Sequence, residues 1–221
     1  MAKFKSDFDR RINTAKTSGD WIDAYELLNG MIKTIDGLTD ATIYKKQLAD
    51  IVTTSGYKNA LDIQLQLQQS EIKQQQEFSE QFTIQNEKWW AIKIAELNQR
   101  IHSPKTQQES QMNKRLVNFI GFLGYINSNH ALNLGDLTNA LHYLKVFKMA
   151  DPKNPDCSYL TAIYYMKEGN KLKAIFSLNE AALLGYSDIS QLNTDPVFSS
   201  LHDDAGFKKL VNKVTENYSS K

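Results

Sequence analysis

The side chains that most often carry chemistry are few and scattered in this chain. His102, His130, His142 and His202 include no pair at i, i+4, and no cysteine or carboxylate cluster accompanies them. A metal centre therefore finds no ligand set. Cys157 is the only cysteine. It falls at a helix start, where the dipole would lower a thiol pKa and favour nucleophilic attack. No histidine lies near it in sequence to act as a base, so it reads as a small buried thiol. There is no glycine-rich phosphate loop and no Gly-x-Ser-x-Gly elbow. Trp89-Trp90 offers aromatic surface for a sugar, but adjacent helical residues point about 100° apart and cannot share one platform. One core Trp and one interface Trp is the expected arrangement. These residues predict a protein that is not an enzyme and carries no cofactor and no metal.

The bulk properties narrow the partners. The chain has 221 residues, long enough to bury a sizeable core as one domain or two. Its 26 basic and 25 acidic residues leave a formal charge of +1. No Lys/Arg-dense stripe marks a nucleic-acid face, so no nucleic acid is expected. A single cysteine excludes an internal disulfide framework and leaves the compartment open. The longest apolar run, Leu116 to Ile126, falls short of the roughly 20 residues that a spanning helix needs, so no transmembrane segment is expected. Residues 1–7 lack the apolar core of a signal peptide. Ten glycines and four prolines favour long helices over a turn-rich β architecture.

One pattern recurs. Gly135-Asp136-Leu137-Thr138-Asn139-Ala140 is followed 34 residues later by Gly169-Asn170-Lys171-Leu172-Lys173-Ala174. Gly19-Asp20-Trp21-Ile22-Asp23-Ala24 has the same Gly-x-x-x-x-Ala spacing. The period and core resemble the tetratricopeptide repeat, a helix–turn–helix unit that buries its apolar face by stacking on neighbours. On that resemblance the units span 121–154 and 155–188, with 5–35 a divergent relative. Small residues stand where the helices of a unit come closest: Ser128 and Ala162, then Ala140 and Ala174. Leu144 and Leu178 are the bulky residues between units, and Asp151-Pro152 ends the first unit. The chain departs from the family pattern in three places. Gly124 and Ser158 stand where tryptophan is usual, Phe147 where alanine is usual, and Tyr186 where proline is usual, although Gly185 is well placed as a C-terminal cap. Leu192-x-x-Asp195-Pro196-x-Phe198, continuing to Leu210, reads as two short closing helices, with Asp195 capping the first and Asp203 or Asp204 the last.

The resemblance implies an all-α, tetratricopeptide-like solenoid of antiparallel helix pairs with C-terminal capping helices. A divergent helical region, 4–102, would precede a repeat domain, 112–218. The run from Trp89 to Phe207 also resembles exported, often lipid-anchored tetratricopeptide proteins of Bacteroidetes-type bacteria. It does so through Trp89-Trp90, Ile94-Ala95-x-Leu97-Asn98, Met112-x-Lys114-Arg115-Leu116 and Leu184-Gly185-Tyr186-Ser187-Asp188. That implies a periplasmic or outer-membrane-anchored location where a signal peptide has been removed, and a cytoplasmic one otherwise.

The same resemblance implies a concave groove lined by Phe122, Tyr125, Asn129, Leu132 and Asn133 from one unit. The other unit supplies Asp156, Tyr159, Ile163, Met166 and Lys167. Only Asn129 and Lys167 suit a clamp for acidic peptide termini. The lining is aromatic and apolar, which points to a peptide or partner protein held through Tyr125, Asn129, Tyr159, Ile163 and Met166. Two alternatives stand beside this. The helix around Trp89 to Leu97 fills the groove itself, or the chain is a structural protein forming homo-oligomers.

The second alternative rests on residues 64–85, which hold nine glutamines. They read as a solvated helix face, a partner-binding coiled face or a disordered tract. From Asn59 to Ile101 there is neither glycine nor proline. That stretch is one long helix, or two with a break near 69–76. The remaining periodicity predicts helices over 4–17, a second from Trp21, then 40–54, a turn at Ser55-Gly56-Tyr57, and a helix from about Met112 to Leu132.

Overall fold

The computed structural model describes residues 2–219. Every regular element among them is helical, so the fold is all-α: α1 (Ala2–Ser18), α2 (Trp21–Ile35), α3 (Thr42–Thr53), α4 (Ser55–Gln81), α5 (Glu87–His102), α6 (Gln107–Leu134), α7 (Leu137–Ala150), α8 (Pro155–Lys167), α9 (Lys171–Leu183), α10 (Ile189–Thr194), a 3-10 helix (Pro196–Leu201) and α11 (Ala205–Ser219). No described helix is long and apolar enough to cross a membrane.

Two compact units make up the chain, residues 1–70 and 71–221. The division falls within α4, whereas the regions expected from the sequence are 4–102 and 112–218. α5 belongs to the second unit, where it packs on α6 and α7. In the first unit α2 is packed by α1 and α3 around Ile12, Leu28, Met31, Ile35, Tyr44 and Ile51. Gly56 sits against the indole of Trp21, where any Cβ would collide. Ser55-Gly56-Tyr57 is therefore not a turn. The chain bends at Thr54, whose hydroxyl accepts from the Tyr57 N–H, and α4 begins at once.

The three Gly-x-x-x-x-Ala copies build one local structure. Gly19, Gly135 and Gly169 have φ of 77°, 74° and 77°, a left-handed conformation that a Cβ disfavours. Each ends its helix by a pair of backbone bonds, for example Gly135 N–H to Leu132 and Asp136 N–H to Ala131. The next residue then starts the following helix. Asp20, Asp136 and Asn170 accept from the backbone N–H of Asp23, Asn139 and Lys173 at 3.2, 3.1 and 3.1 Å. Ala24, Ala140 and Ala174 are fully buried. The helices on either side of each copy pack on each other: α1 on α2, α6 on α7 and α8 on α9.

Two departures from the repeat pattern compensate each other. A Cβ on Gly124 of α6 would lie 2.7 Å from the Phe147 Cβ and 2.9 Å from its Cα on α7. The usual large and small positions are exchanged: the missing side chain on α6 makes room for the phenyl-bearing backbone of α7. Phe147 is buried, and Tyr125 meets it edge-on at 6.2 Å.

The break in the glutamine-rich segment lies at 82–86, not at 69–76. Glutamine is a good helix former, so α4 continues through the lapse in its apolar stripe. Asn86 restarts the chain by accepting from the Trp89 N–H at 3.0 Å. α6 likewise starts five residues before Met112, because Thr106 accepts from the Glu109 N–H at 3.1 Å and Glu109 reaches back to the Lys105 N–H at 2.9 Å. At the other end Asp195 caps the 3-10 helix and Asp204 caps α11.

Gly124→Ala should lower the urea midpoint by the equivalent of about 1–3 kcal/mol, the penalty for overpacking a closed contact. Gly121→Ala, one turn earlier, meets nothing closer than 3.6 Å. It should be neutral or add up to about 1 kcal/mol through helix propensity. Equal stability of the Gly124 variant and wild type would contradict the close approach.

Candidate functional site

α6 and α8 present facing rows of side chains. On α6, Tyr125, Asn129 and Asn133 follow one another at four-residue spacing, so they share a face. On α8, Asp156, Tyr159, Leu160, Ile163 and Lys167 form the matching row. Between the rows is a cleft of about 560 Å3. Its third wall comes from the C-terminal cap, through Gln191 of α10 and Asp195, Pro196 and Val197 at the start of the 3-10 helix.

Four of the five expected binding residues, Tyr125, Asn129, Tyr159 and Ile163, thus line one cleft. Met166 is half-buried on α8 but does not line it. Of the other groove positions, Leu132 is buried and Phe122 is exposed away from the cleft. Nor does α5 enter the cleft. Its stripe of Trp90, Ile94 and Leu97 is buried where α5 meets α6 and α7, and no residue of 89–97 lines the opening.

Tyr159 does not stand free as an anchor. It is 2% exposed, its ring stacks on Tyr186 at 4.8 Å and 9°, and Phe198 meets it edge-on at 5.7 Å. Its hydroxyl donates to Asp195 Oδ2 at 3.0 Å, while Asp195 Oδ1 accepts from the Val197 N–H at 3.0 Å. One carboxylate thus caps the 3-10 helix and fixes the floor of the cleft. Tyr186 makes a parallel tie, donating to Gln191 Oε1 at 2.8 Å. Burial holds the Tyr159 phenol far above its usual pKa, and Tyr186 and Asp195 push the same way. Burial also raises Tyr186, with Asp188 and Asp156 adding to it.

What remains accessible is a short set of groups. Tyr125 is 39% exposed. Asn129 and Asn133 make no side-chain hydrogen bond among the described residues, and Lys167, exposed at the rim, makes no ion pair there. Each amide can donate and accept at once. Amides, an ammonium and an apolar strip from Tyr125 to Ile163 match the alternating polar and apolar groups of a polypeptide segment.

The residues first considered for chemistry lie elsewhere. Cys157 is buried with its thiol 3.8 Å from the Leu144 carbonyl, and burial pushes it up to about 12. Desolvation outweighs the helix dipole. Trp90 is fully buried against Phe78 and Phe82, and Trp89 is half-buried at 83° to it, so the pair forms no platform. Among the described residues no three His, Cys, Asp or Glu side chains gather in metal-binding reach. In the glutamine-rich helix Leu61, Leu65 and Ile72 are exposed at spacings of four and seven, which puts them on one side, and Ile63 is exposed on the opposite side.

Sequence reasoning missed the third wall. The Asp195-Pro196 start signal was readable, but its position across the cleft follows from long-range contacts to Tyr159. Comparison with family models, curated proteins and solved structures yields no match for the chain.

The buried acids predict a pH dependence. Cys157, Tyr159 and Tyr186 have folded pKa values raised above their unfolded values. Below about pH 8.5, the unfolded thiol value, their contribution is complete, and it is lost as pH rises toward the folded values. The thermal midpoint should fall from about pH 9 upward, and Tyr159→Phe should flatten that fall. A midpoint flat to about pH 11 would contradict the burial of these groups.

Proposed function

We propose that this protein is a non-enzymatic interaction module of tetratricopeptide type, and that the cleft between α6, α8 and the cap captures a peptide segment of a partner protein. The helix pairs around Gly135 and Gly169 are its repeat units, and the segment from α10 to α11 closes the array. The observation that carries the reading is the convergence of Tyr125, Asn129, Asn133, Ile163 and Lys167 on one cleft, with both amides unengaged. Tyr125 is the exposed aromatic anchor. Tyr159 is reassigned to holding the floor, and Met166 drops out of the contact set. On the likeness to exported Bacteroidetes-type proteins, that partner would be a periplasmic or outer-membrane one. Self-association through the glutamine-rich helix is the second reading, and Leu61, Leu65 and Ile72, exposed at spacings of four and seven, are the side chains that would carry it.

The test is selection of short peptides from a random displayed library on the purified chain. Tyr125→Ala and Asn129→Ala should each weaken the selected peptides by at least about tenfold, equivalent to about 1.4 kcal/mol, with the helical circular dichroism unchanged. Tyr159→Ala is a poor probe because it empties a buried site. Selection of no sequence, or of peptides that bind the Tyr125 and Asn129 variants as tightly as wild type, would overturn the reading.

A further inference from the structure

The outer face of α9 holds three large apolar side chains in open solvent. Leu172, Phe176 and Leu183 are 83%, 73% and 71% exposed. Spacings of four and seven residues align them in one stripe. The helix pair does not need them. The equivalent positions of α7, 34 residues earlier, are Thr138, His142 and Met149. That face of α7 meets α5: His142 Nδ1 lies 3.8 Å from Glu87 Oε1, and Lys145 Nζ donates to the same oxygen at 3.0 Å. On α9 the corresponding residues stand exposed, and Leu172 and Phe176 occupy the places of Thr138 and His142.

We propose that this face docks on the same face of a second copy across a two-fold axis. The charge pattern selects that occupant. Lys173 and Glu180 flank the stripe on one side, seven residues apart. A two-fold axis crossing α9 midway between them runs the two helices in opposite directions. Lys173 of each copy then faces Glu180 of the other, and the helix dipoles oppose. A parallel pairing would set Lys173 and Glu180 of the two copies on opposite sides of the stripe, where they do not pair. Both groups also have partners within the chain, Glu180 with Lys148 at 2.7 Å and Lys173 over the Tyr165 ring at 5.2 Å. The Glu180 side chain remains 41% exposed, within reach of a second cation. α9 has 13 residues and is about 20 Å long, which sets the contact at the small end of specific interfaces and its affinity in the micromolar range.

Sedimentation of the full chain from about 1 to about 500 µM tests this. Wild type should show a monomer–dimer equilibrium, and Phe176→Glu should sediment as a monomer throughout with its helical signal intact. Leu172→Gln/Leu183→Gln should do the same, and both sites are exposed enough for folding to be unaffected. Lys173→Glu should weaken the dimer by about tenfold, and Lys173→Glu/Glu180→Lys should restore it. A wild-type monomer over the whole range would overturn the proposal. So would a dimer that survives both apolar variants, which would place self-association or another partner on a different face.

Discussion

The hydrogen bond from Tyr159 to Asp195 is the constraint on which the cleft depends. It joins the last helix pair to the segment that covers it, at a point where the same carboxylate also starts the 3-10 helix. A bond to a charged acceptor contributes about 1.5–3 kcal/mol, and more is lost when a buried partner is left alone. The stack of Tyr159 on Tyr186 and the edge contact with Phe198 add about 0.5–1.5 kcal/mol each beyond the area they bury. With this cluster intact, Asp195, Pro196 and Val197 stand across the opening between α6 and α8. Without it the cleft has two walls and an exposed apolar floor. The C-terminal segment is therefore part of the candidate site as well as its cover.

A second constraint acts within each helix pair. A left-handed glycine followed by Asp or Asn stops one helix and starts the next within two residues, which fixes where the pair turns. How closely the helices approach is then a matter of volume. In the pair α6–α7 the approach is closest at Gly124, and Phe147 supplies the bulk that this position lacks. In the pair α8–α9 the matching residues are Ser158 and Ala181, both buried. Read singly, the Gly124 and Phe147 departures weaken the likeness to the repeat pattern. Read together, they describe one closed contact, since the α7 backbone at Phe147 fills the space that a side chain on Gly124 would need.

Features set by near neighbours in sequence were legible before any coordinates. The all-α class, the three Gly-to-Ala copies and the Asp195 and Asp204 caps all follow from short-range hydrogen bonding and periodicity. The likeness to the repeat pattern also implied one groove holding Tyr125, Asn129 and Ile163. It could not give distances across the cleft. The burial of Tyr159 depends on Asp195, Tyr186 and Phe198, which lie 27 to 39 residues further along. The break at 82–86 is marked in the sequence by Asn86, a capping residue, and not by the lapse of the apolar stripe at 69–76. Met166 lies between Ile163 and Lys167, which both line the cleft, but is not itself part of the lining.

The most direct test of the account is an amide and methyl spectrum of the protein titrated with a peptide selected on it. Binding in the cleft predicts the largest shifts at the side-chain amides of Asn129 and Asn133, the Ile163 methyl and the backbone of residues 195–197. Shifts centred on α4 or on the outer face of α9, with Asn129 and Ile163 unmoved, would contradict it.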